Sequence, residues 1–129
     1  MKHNLSGAVA VTAMAALAAS VPAAAHHSHS MFDLTTEQTI SGIVKTFVFT
    51  NPHVYLYVNV DGEDGKPTTY IIEMSTVQNT MSRGITPATL KPGDNVKVKM
   101  NPLANGRPGG SYVGISKDGK EFGRGAVEQ

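Results

Sequence analysis

The sequence predicts a mainly β fold with one short helix, and two patterns support this prediction. The first is an unbroken alternation over residues 54–60, which places Val54, Leu56, Val58 and Val60 on one face and Tyr55, Tyr57 and Asn59 on the other. The second is the order of the segments: three extended runs, a short helix and two further extended runs. That order predicts a five-stranded OB-like barrel in which the helix plugs the gap between strands three and four. A small open β-sandwich is the alternative.

The first 25 residues have the pattern of an export signal and do not belong to the predicted domain. Lys2 supplies the positive start, residues 5–21 form an Ala- and Val-rich run almost without charge, and residues 22–25 offer small side chains to a signal peptidase. A retained membrane anchor would need about 20 strongly apolar residues, and this run is interrupted by polar side chains. We therefore expect a periplasmic or secreted protein with no stable membrane span after processing.

Length and composition restrict what the remaining chain, residues 26–129, can be. It suffices for one small domain and is too short for two. The whole chain has a formal net charge of +1 and no broad basic stripe that would neutralise phosphates, so nucleic acid is not an expected partner. A periplasmic partner protein remains possible on these grounds. The chain has no cysteine, so a metal site would have to use His, Met, carboxylate or backbone ligands.

The first half of the domain is predicted to be an arm followed by three strands. Residues 26–38 form a His-rich arm with an apolar patch at residues 31–34. The β-branched and aromatic run at residues 39–49 predicts the first strand, with Gly42 marking a bulge or bend. An Asn51-Pro52 turn leads into the second strand. The turn formers at residues 61–67 then predict a hairpin onto a third strand at residues 68–74.

The second half contains the helix and two more strands. Ser75 and Gln78 fit a capping box at the start of a short helix, and Gly84 is suited to end it in the left-handed conformation. Residues 91–94 fit a type II turn with glycine at its third position. Alternation at residues 96–100 predicts the fourth strand. A Pro/Gly/Asn-rich loop at residues 102–110 precedes a fifth strand at 111–116, which gives an OB-like domain over residues 39–117 and a polar tail over residues 118–129.

In a barrel of this type, the loop between strands one and two and the loop between strands four and five frame the common binding face. This geometry predicts that Asn51, Pro52 and His53 lie near the loop at residues 101–110. The same face would present Asn51, Tyr55 and Tyr57 to a ligand. Tyr55 and Tyr57 could equally be surface aromatics that only pair across strands.

Several short motifs occur along the chain in a characteristic order. Ala25-His26-His27-Ser28 follows the signal, Thr50-Asn51-Pro52-His53 precedes the second strand, and Arg83-Gly84, Leu90-Lys91-Pro92-Gly93-Asp94 and Gly109-Gly110-Ser111 come later. Together they resemble a family of small exported bacterial proteins known only as a domain of unknown function. The resemblance implies a periplasmic β protein of one domain and no established activity. The chain departs from the family pattern in having His29 and Met31.

The histidines provide the best chemical case for a function. Cleavage after Ala25 would leave His26 with a free α-amino group, a bidentate chelate that an imidazole such as that of His53 could complete. Cleavage one residue earlier would give Ala25-His26-His27, in which an amine, two amides and the third-position imidazole can bind Cu(II) in a square plane. Both sets suit the nitrogen preference of Cu(II). The predicted copper ligands are His26, His27, His29 and His53.

Plainer interpretations exist for each of these residues. A His-rich terminus can be only a polar spacer, and His53 can serve as a turn residue that hydrogen-bonds the backbone. Met31, Met74, Met81 and Met100 suit core packing better than a Cu(I) site. No acid/base set converges in the sequence, so we expect no enzyme, although a copper-dependent oxidoreductase is conceivable. The alternative to a copper-binding protein is a metal-independent interaction module that uses Tyr55, Tyr57 and the loop at residues 102–110.

Overall fold

The structure is a computed structural model and describes residues 29–122. A 3-10 turn at His29–Met31 precedes three strands, a helix and three further strands. Their bounds are β1 Gln38–Val48, β2 Tyr55–Asp61, β3 Pro67–Glu73, α1 Val77–Ser82, β4 Asn95–Pro102, β5 Gly109–Lys117 and β6 Lys120–Phe122. The predicted order of five strands with a helix after the third is confirmed, and most strand ends fall within one or two residues of the predicted ones.

The strands close into a barrel. Their order in the sheet is β3-β2-β1-β4-β5-β6, and an additional parallel pairing of β3 with β5 joins the two ends of the five-stranded part. At this junction Ile71 lies opposite Gly109, and a Cβ at position 109 would collide with the carbonyl oxygen of Ile71. Gly109 also has a φ of +144°, which disfavours any other residue. This closure confirms the OB-like barrel over the open sandwich.

The core is built from the faces that the alternation predicts. Val54, Leu56 and Val58 are fully buried, whereas Tyr55 and Tyr57 lie on the outer face of β2. The remaining buried apolar residues come from the other strands and from the segment after the helix: Ile40, Val44, Ile72, Met74, Ile85, Leu90, Val96, Val98, Met100 and Ile115. Burial of side chains of this size stabilises the fold by about 1.5–3 kcal/mol each.

The irregularity in β1 is not at Gly42, as the sequence predicted, but between Val44 and Thr46. Gly42 has a different role. A Cβ there would collide with the carbonyl oxygen of Asn59, so glycine lets β1 and β2 approach closely at this position. The sequence analysis therefore identified Gly42 correctly as a constrained position, but the constraint is the close approach of two strands and not a bulge.

Helix α1 begins one residue later than predicted. Its N-cap is Thr76, whose hydroxyl accepts a hydrogen bond from the Asn79 amide at 3.2 Å. Ser75 does not fill the cap because its carbonyl oxygen accepts from the Val54 amide at 2.9 Å, a bond that continues the pairing of the chain before β2 with the chain after β3. The end of the helix is as predicted, since Gly84 follows it with a φ of +83°.

The turn before β4 has the predicted form and anchors a charge cluster. Gly93 has a φ of +93°, and the Asp94 amide donates to the Lys91 carbonyl at 3.1 Å. The Asp94 carboxylate contacts the ammonium groups of Lys91 at 2.6 Å and Lys117 at 2.9 Å. Hydrogen bonds from these lysines hold the pKa of Asp94 well below its usual value. This cluster ties the turn to the end of β5.

Strand β6 lies in residues 118–129, which the sequence analysis assigned to a polar tail. Asp118 and Gly119 both have positive φ and turn the chain back, so that Lys120–Phe122 pairs with the end of β5. Phe122 packs against the core, and its carbonyl oxygen accepts from the Tyr112 hydroxyl at 3.0 Å. The sequence analysis missed β6 because its anchor is the packing of Phe122 against the core, which is a tertiary contact. Within residues 29–122, no helix has the length and apolar character that a membrane crossing requires.

Candidate functional site

The described part of the N-terminal arm lies on the loop between β4 and β5. The Ala104 amide donates to the Met31 carbonyl at 2.9 Å, and the Asp33 amide donates to the Pro102 carbonyl at the same distance. Between these two bonds, Phe32 forms a β-bridge with Leu103. The arm is thus fixed to this loop by main-chain hydrogen bonds on both sides of Phe32.

A groove of about 320 Å³ separates the arm and this loop from the outer face of β2 and β3. Most of its walls are apolar. Its lining residues are Met31, Phe32, Tyr55, Thr69, Ile71, Glu73, Leu103, Arg107, Pro108 and Gly110. We call this surface the arm groove. Its size is at the lower end of the range for small-molecule sites.

Glu73 is the one carboxylate on the wall of the arm groove, and strand register determines its surroundings. It lies directly opposite Tyr55 in the β2–β3 pair, and its side chain is only 13% exposed. Its Oε1 lies 2.5 Å from Nδ1 of His53, whose side chain is 32% exposed. His53 does not line the arm groove and is linked to it by its contact with Glu73.

The contact with Glu73 defines the chemistry of the His53 ring. Nδ1 of His53 is itself buried, so the exposed part of the ring lies elsewhere on its edge. A carboxylate is a hydrogen-bond acceptor, so a neutral His53 ring in this contact is the tautomer that carries its proton on Nδ1. In that tautomer Nε2 carries the lone pair. This is the arrangement in which histidines bind metal ions in proteins, with one nitrogen held by a carboxylate and the other directed to the metal.

The pKa of Tyr55 also reflects the nearby Glu73 carboxylate. Burial of its phenol raises the pKa of Tyr55, and the negative charge of Glu73 together with a hydrogen bond to that carboxylate raises it further. Tyr55, Glu73 and His53 therefore form one connected polar group at the end of the arm groove. The sequence predicted His53 and Tyr55 as site residues but treated Glu73 only as an isolated acid within a strand.

The other predicted site residues have different positions. Asn51 faces the helix, because its side-chain oxygen accepts from the Val77 amide at 3.0 Å. Tyr57 pairs with Ile71 on the outer face, next to the arm groove. Asn51, Pro52 and His53 do not line the arm groove. Tyr55 and Glu73 line it, together with residues of the loop between β4 and β5.

The predicted copper ligands in the arm are mostly beyond what the structure describes. His26 and His27 lie outside residues 29–122, and His29 opens the 3-10 turn. Among the residues that the structure describes, no three His, Cys, Asp or Glu side chains form a group suited to a metal ion. The four methionines within residues 29–122 divide into two classes: Met74 and Met100 are buried in the core as expected, whereas Met31 and Met81 are exposed.

Comparison with solved structures identifies the same fold in single-stranded DNA-binding proteins. One crystal form of mitochondrial Rim1 from S. cerevisiae gives a TM-score of 0.50 at 13% identity, covering 64% of this chain and 93% of that one. A small single-stranded DNA-binding protein from Streptomyces coelicolor gives 0.41 at 18% identity, covering 64% and 91% of the two chains. At 13% identity the likeness to Rim1 shows the barrel alone.

Comparison of the sequence with curated proteins gives no significant match. A family model does match. The model of a family of unknown function, DUF6152, aligns with residues 13–112, which include the arm, the first four strands and the start of β5. The match extends over most of the chain, and the protein therefore belongs to the DUF6152 family.

Proposed function

We propose that this protein is an exported, non-catalytic binding protein that captures Cu(II) between its processed amino terminus and His53. The observation that supports this most strongly is the contact of 2.5 Å between Nδ1 of His53 and Oε1 of Glu73. A carboxylate in that position orients the ring and makes Nε2 a stronger ligand. A turn histidine that only bonded the backbone would not need it.

The position of the arm also favours this proposal. Met31 and Glu73 are on walls of the same groove, so the arm enters the site beside the carboxylate that holds His53. An extended chain spans about 3.3–3.6 Å per residue, so His27 can lie at most roughly 14 Å from Met31 along the arm. The length of the chain therefore allows the His27 imidazole to reach the arm groove.

The two cleavage sites lead to different copper complexes. If processing ends at Ala25, the amine and imidazole of His26 provide two nitrogen ligands, and His53 provides a third from the barrel. If it ends at Ala24, the Ala25-His26-His27 terminus can fill a square plane without His53. Cu(II) heads the divalent affinity order for such nitrogen sites and prefers tetragonal geometry. Zinc would lack its usual tetrahedral ligand set.

The test is a Cu(II) titration of the exported, processed protein against a chelator of known affinity. Intact mass first identifies the terminal residue. We expect the His53→Ala variant, and separately a protein with its α-amino group acetylated, to bind Cu(II) at least about tenfold more weakly. If both bind Cu(II) as tightly as the unmodified protein, the two-part site is wrong. Tyr57→Phe, a change on the same face of β2 that leaves every proposed ligand in place, is the matched control.

A metal-independent interaction module is the second candidate, and the arm groove favours it. Tyr55 and apolar side chains of the arm and loop line a groove large enough for a small apolar ligand or a partner's side chains. This candidate predicts that an apolar fluorescent probe binds the metal-free protein and that Ile71→Glu weakens binding. Ile43→Glu is the control, since Ile43 and Ile71 are 48% and 43% exposed and only Ile71 lines the groove. Equal binding by the two variants would exclude the arm groove.

A further inference from the structure

Among the described residues that line the arm groove, Arg107 carries the one positive charge. Its amide donates to the side-chain oxygen of Asn105 at 3.0 Å, which fixes the backbone at this point of the loop. Within residues 29–122 the Arg107 guanidinium forms no ion pair, and the carboxylate of the same groove, Glu73, contacts His53 instead. The N–H groups of a guanidinium form a planar fork that matches a carboxylate. The groove thus has an exposed cation with the geometry to bind an anionic group.

The two charged residues of the groove lie at opposite ends of it. The start of β5 runs parallel to β3, with Glu73 opposite Ser111. Continuing this register back by four residues places Arg107 opposite Thr69, which also lines the groove. Thr69 and Glu73 are separated along β3 by about 13 Å at the usual rise of a strand. A ligand in the groove therefore meets a positive charge at one end and a negative charge at the other.

The wall between and around these ends is mostly apolar. Five lining residues have apolar side chains: Met31, Phe32, Ile71, Leu103 and Pro108. Main-chain groups along this stretch already have partners, since the Ile71 amide donates to the Pro108 carbonyl at 3.5 Å and Phe32 bridges to Leu103. A bound peptide strand needs main-chain partners of its own, whereas an alkyl chain needs only apolar surface. The groove therefore favours an alkyl chain over a peptide.

We propose that the arm groove binds a medium-chain fatty acid, with its carboxylate on the Arg107 guanidinium and its alkyl chain along Ile71 and Phe32. The reverse orientation would bring the carboxylate beside Glu73, and repulsion between like charges opposes it. Arg107 is exposed, so the charged end of the ligand stays at the surface while its chain leaves water. The inference rests on the metal-independent candidate function and names its ligand class. The proposed copper ligands have no part in it.

The experiment is isothermal titration calorimetry of the metal-free, processed protein with octanoate at neutral pH, and with n-octanol as the uncharged probe. We expect Arg107→Gln to weaken octanoate binding by about tenfold, the lower end for a hydrogen bond to a charged group. The same variant should leave the affinity for n-octanol unchanged. Arg83→Gln is the matched control, because Arg83 is also exposed and does not line the groove.

A second variant tests the apolar wall. Ile71→Gln should weaken the binding of both probes by about fivefold, because the alkyl chain loses apolar contact area. Ile43→Gln, at an exposed position outside the groove, should change neither affinity.

The outcomes separate this inference from the proposals on which it builds. Absence of octanoate binding, or equal octanoate affinity in the wild type and Arg107→Gln, overturns the fatty-acid assignment. If n-octanol binding nevertheless depends on Ile71, the metal-independent candidate stands without a charged ligand. Insensitivity of both probes to Ile71→Gln overturns the arm groove as their site. Copper is absent from these titrations, so the Cu(II) affinity of His53→Ala decides the copper site separately.

Discussion

Replacing Glu73 by glutamine tests the proposed site at its least exposed polar contact. The substitution keeps the shape of the side chain and removes its charge. Glu73 is only 13% exposed and lies 2.5 Å from Nδ1 of His53, so solvent cannot easily take over its role. An amide can present its NH₂ group to Nδ1 and stabilise the opposite tautomer, in which the proton is on Nε2. The nitrogen proposed to bind copper would then lose its lone pair.

The expected loss follows from this geometry. Removing the outer-shell partner of a metal-binding histidine costs about 10–100-fold in affinity. This corresponds to about 1.4–2.8 kcal/mol of binding free energy. We expect Glu73→Gln to weaken Cu(II) binding by that amount at neutral pH.

Competition with a Cu(II) chelator on the processed protein measures the effect, and Glu37→Gln is the control. Glu37 is another glutamate with a cationic neighbour, but its side chain is 55% exposed and 3.4 Å from Lys99. A surface pair of this kind contributes about 0–1 kcal/mol to stability and has no link to His53. Equal Cu(II) affinity in Glu73→Gln, Glu37→Gln and wild type would refute the role given to the Glu73 carboxylate.

Tyr55 offers a check on Glu73→Gln that needs no metal. The pKa of Tyr55 is raised first by burial and then by the charge and hydrogen bond of Glu73. Removing that charge should move the pKa of Tyr55 down toward the usual value for tyrosine, while burial keeps it above that value. Ultraviolet titration of the phenolate in wild type and Glu73→Gln measures the change. An unchanged titration would show that Glu73 and Tyr55 do not interact in solution.

Three further predictions concern the barrel that holds the site. Gly109→Ala should lower the free energy of unfolding by about 3 kcal/mol in urea titrations, because the new Cβ would collide with the Ile71 carbonyl oxygen. Gly106→Ala is the control: Gly106 has a φ of +75° but open space around it, so the loss should be only about 1 kcal/mol. Equal losses in the two variants would contradict the tight β3–β5 closure. Asp94→Asn should destabilise the protein at pH 7. Because Lys91 and Lys117 lower the pKa of Asp94, the difference in unfolding free energy between wild type and Asp94→Asn should shrink as the pH falls below about 4. A difference that persists in acid would argue against the charge cluster. Burial raises the pKa of Tyr112 to about 12, so the stability that its neutral phenol provides should be lost between pH 10 and 12. Tyr112→Phe should flatten the stability profile over that range in denaturant unfolding, and an unaltered profile would contradict the burial of the phenol.

The sequence predicted the barrel well because burial and strand geometry share the same two-residue period. Val54, Leu56 and Val58 are buried as the alternation requires, and Gly84 and Gly93 have the left-handed φ that their turns demand. These features depend on local chemistry alone. What the sequence missed depends on distant partners. The helix cap moved to Thr76 because the Ser75 carbonyl is bonded to the Val54 amide, which local sequence does not reveal.

The candidate site was predictable only in part, and the missing step was a count of strand register. The hairpin at residues 61–67 pairs Val60 with Thr68, and continuing that register places Tyr55 opposite Glu73. That count would have brought Glu73 beside the tyrosine face from sequence alone. The contact of Glu73 with His53 and the docking of Met31 on the loop could not have been predicted in this way, because they depend on closure of the barrel and on the path of the arm.

Pulsed electron paramagnetic resonance of the Cu(II)-loaded, processed protein tests the central claim most directly, because it counts the imidazoles bound to the metal. For a terminus that begins at His26, we expect equatorial imidazole nitrogens from both the terminus and His53, and one imidazole fewer in His53→Ala. A spectrum that is identical in the wild type and His53→Ala would show that the barrel contributes no ligand and would contradict the two-part copper site.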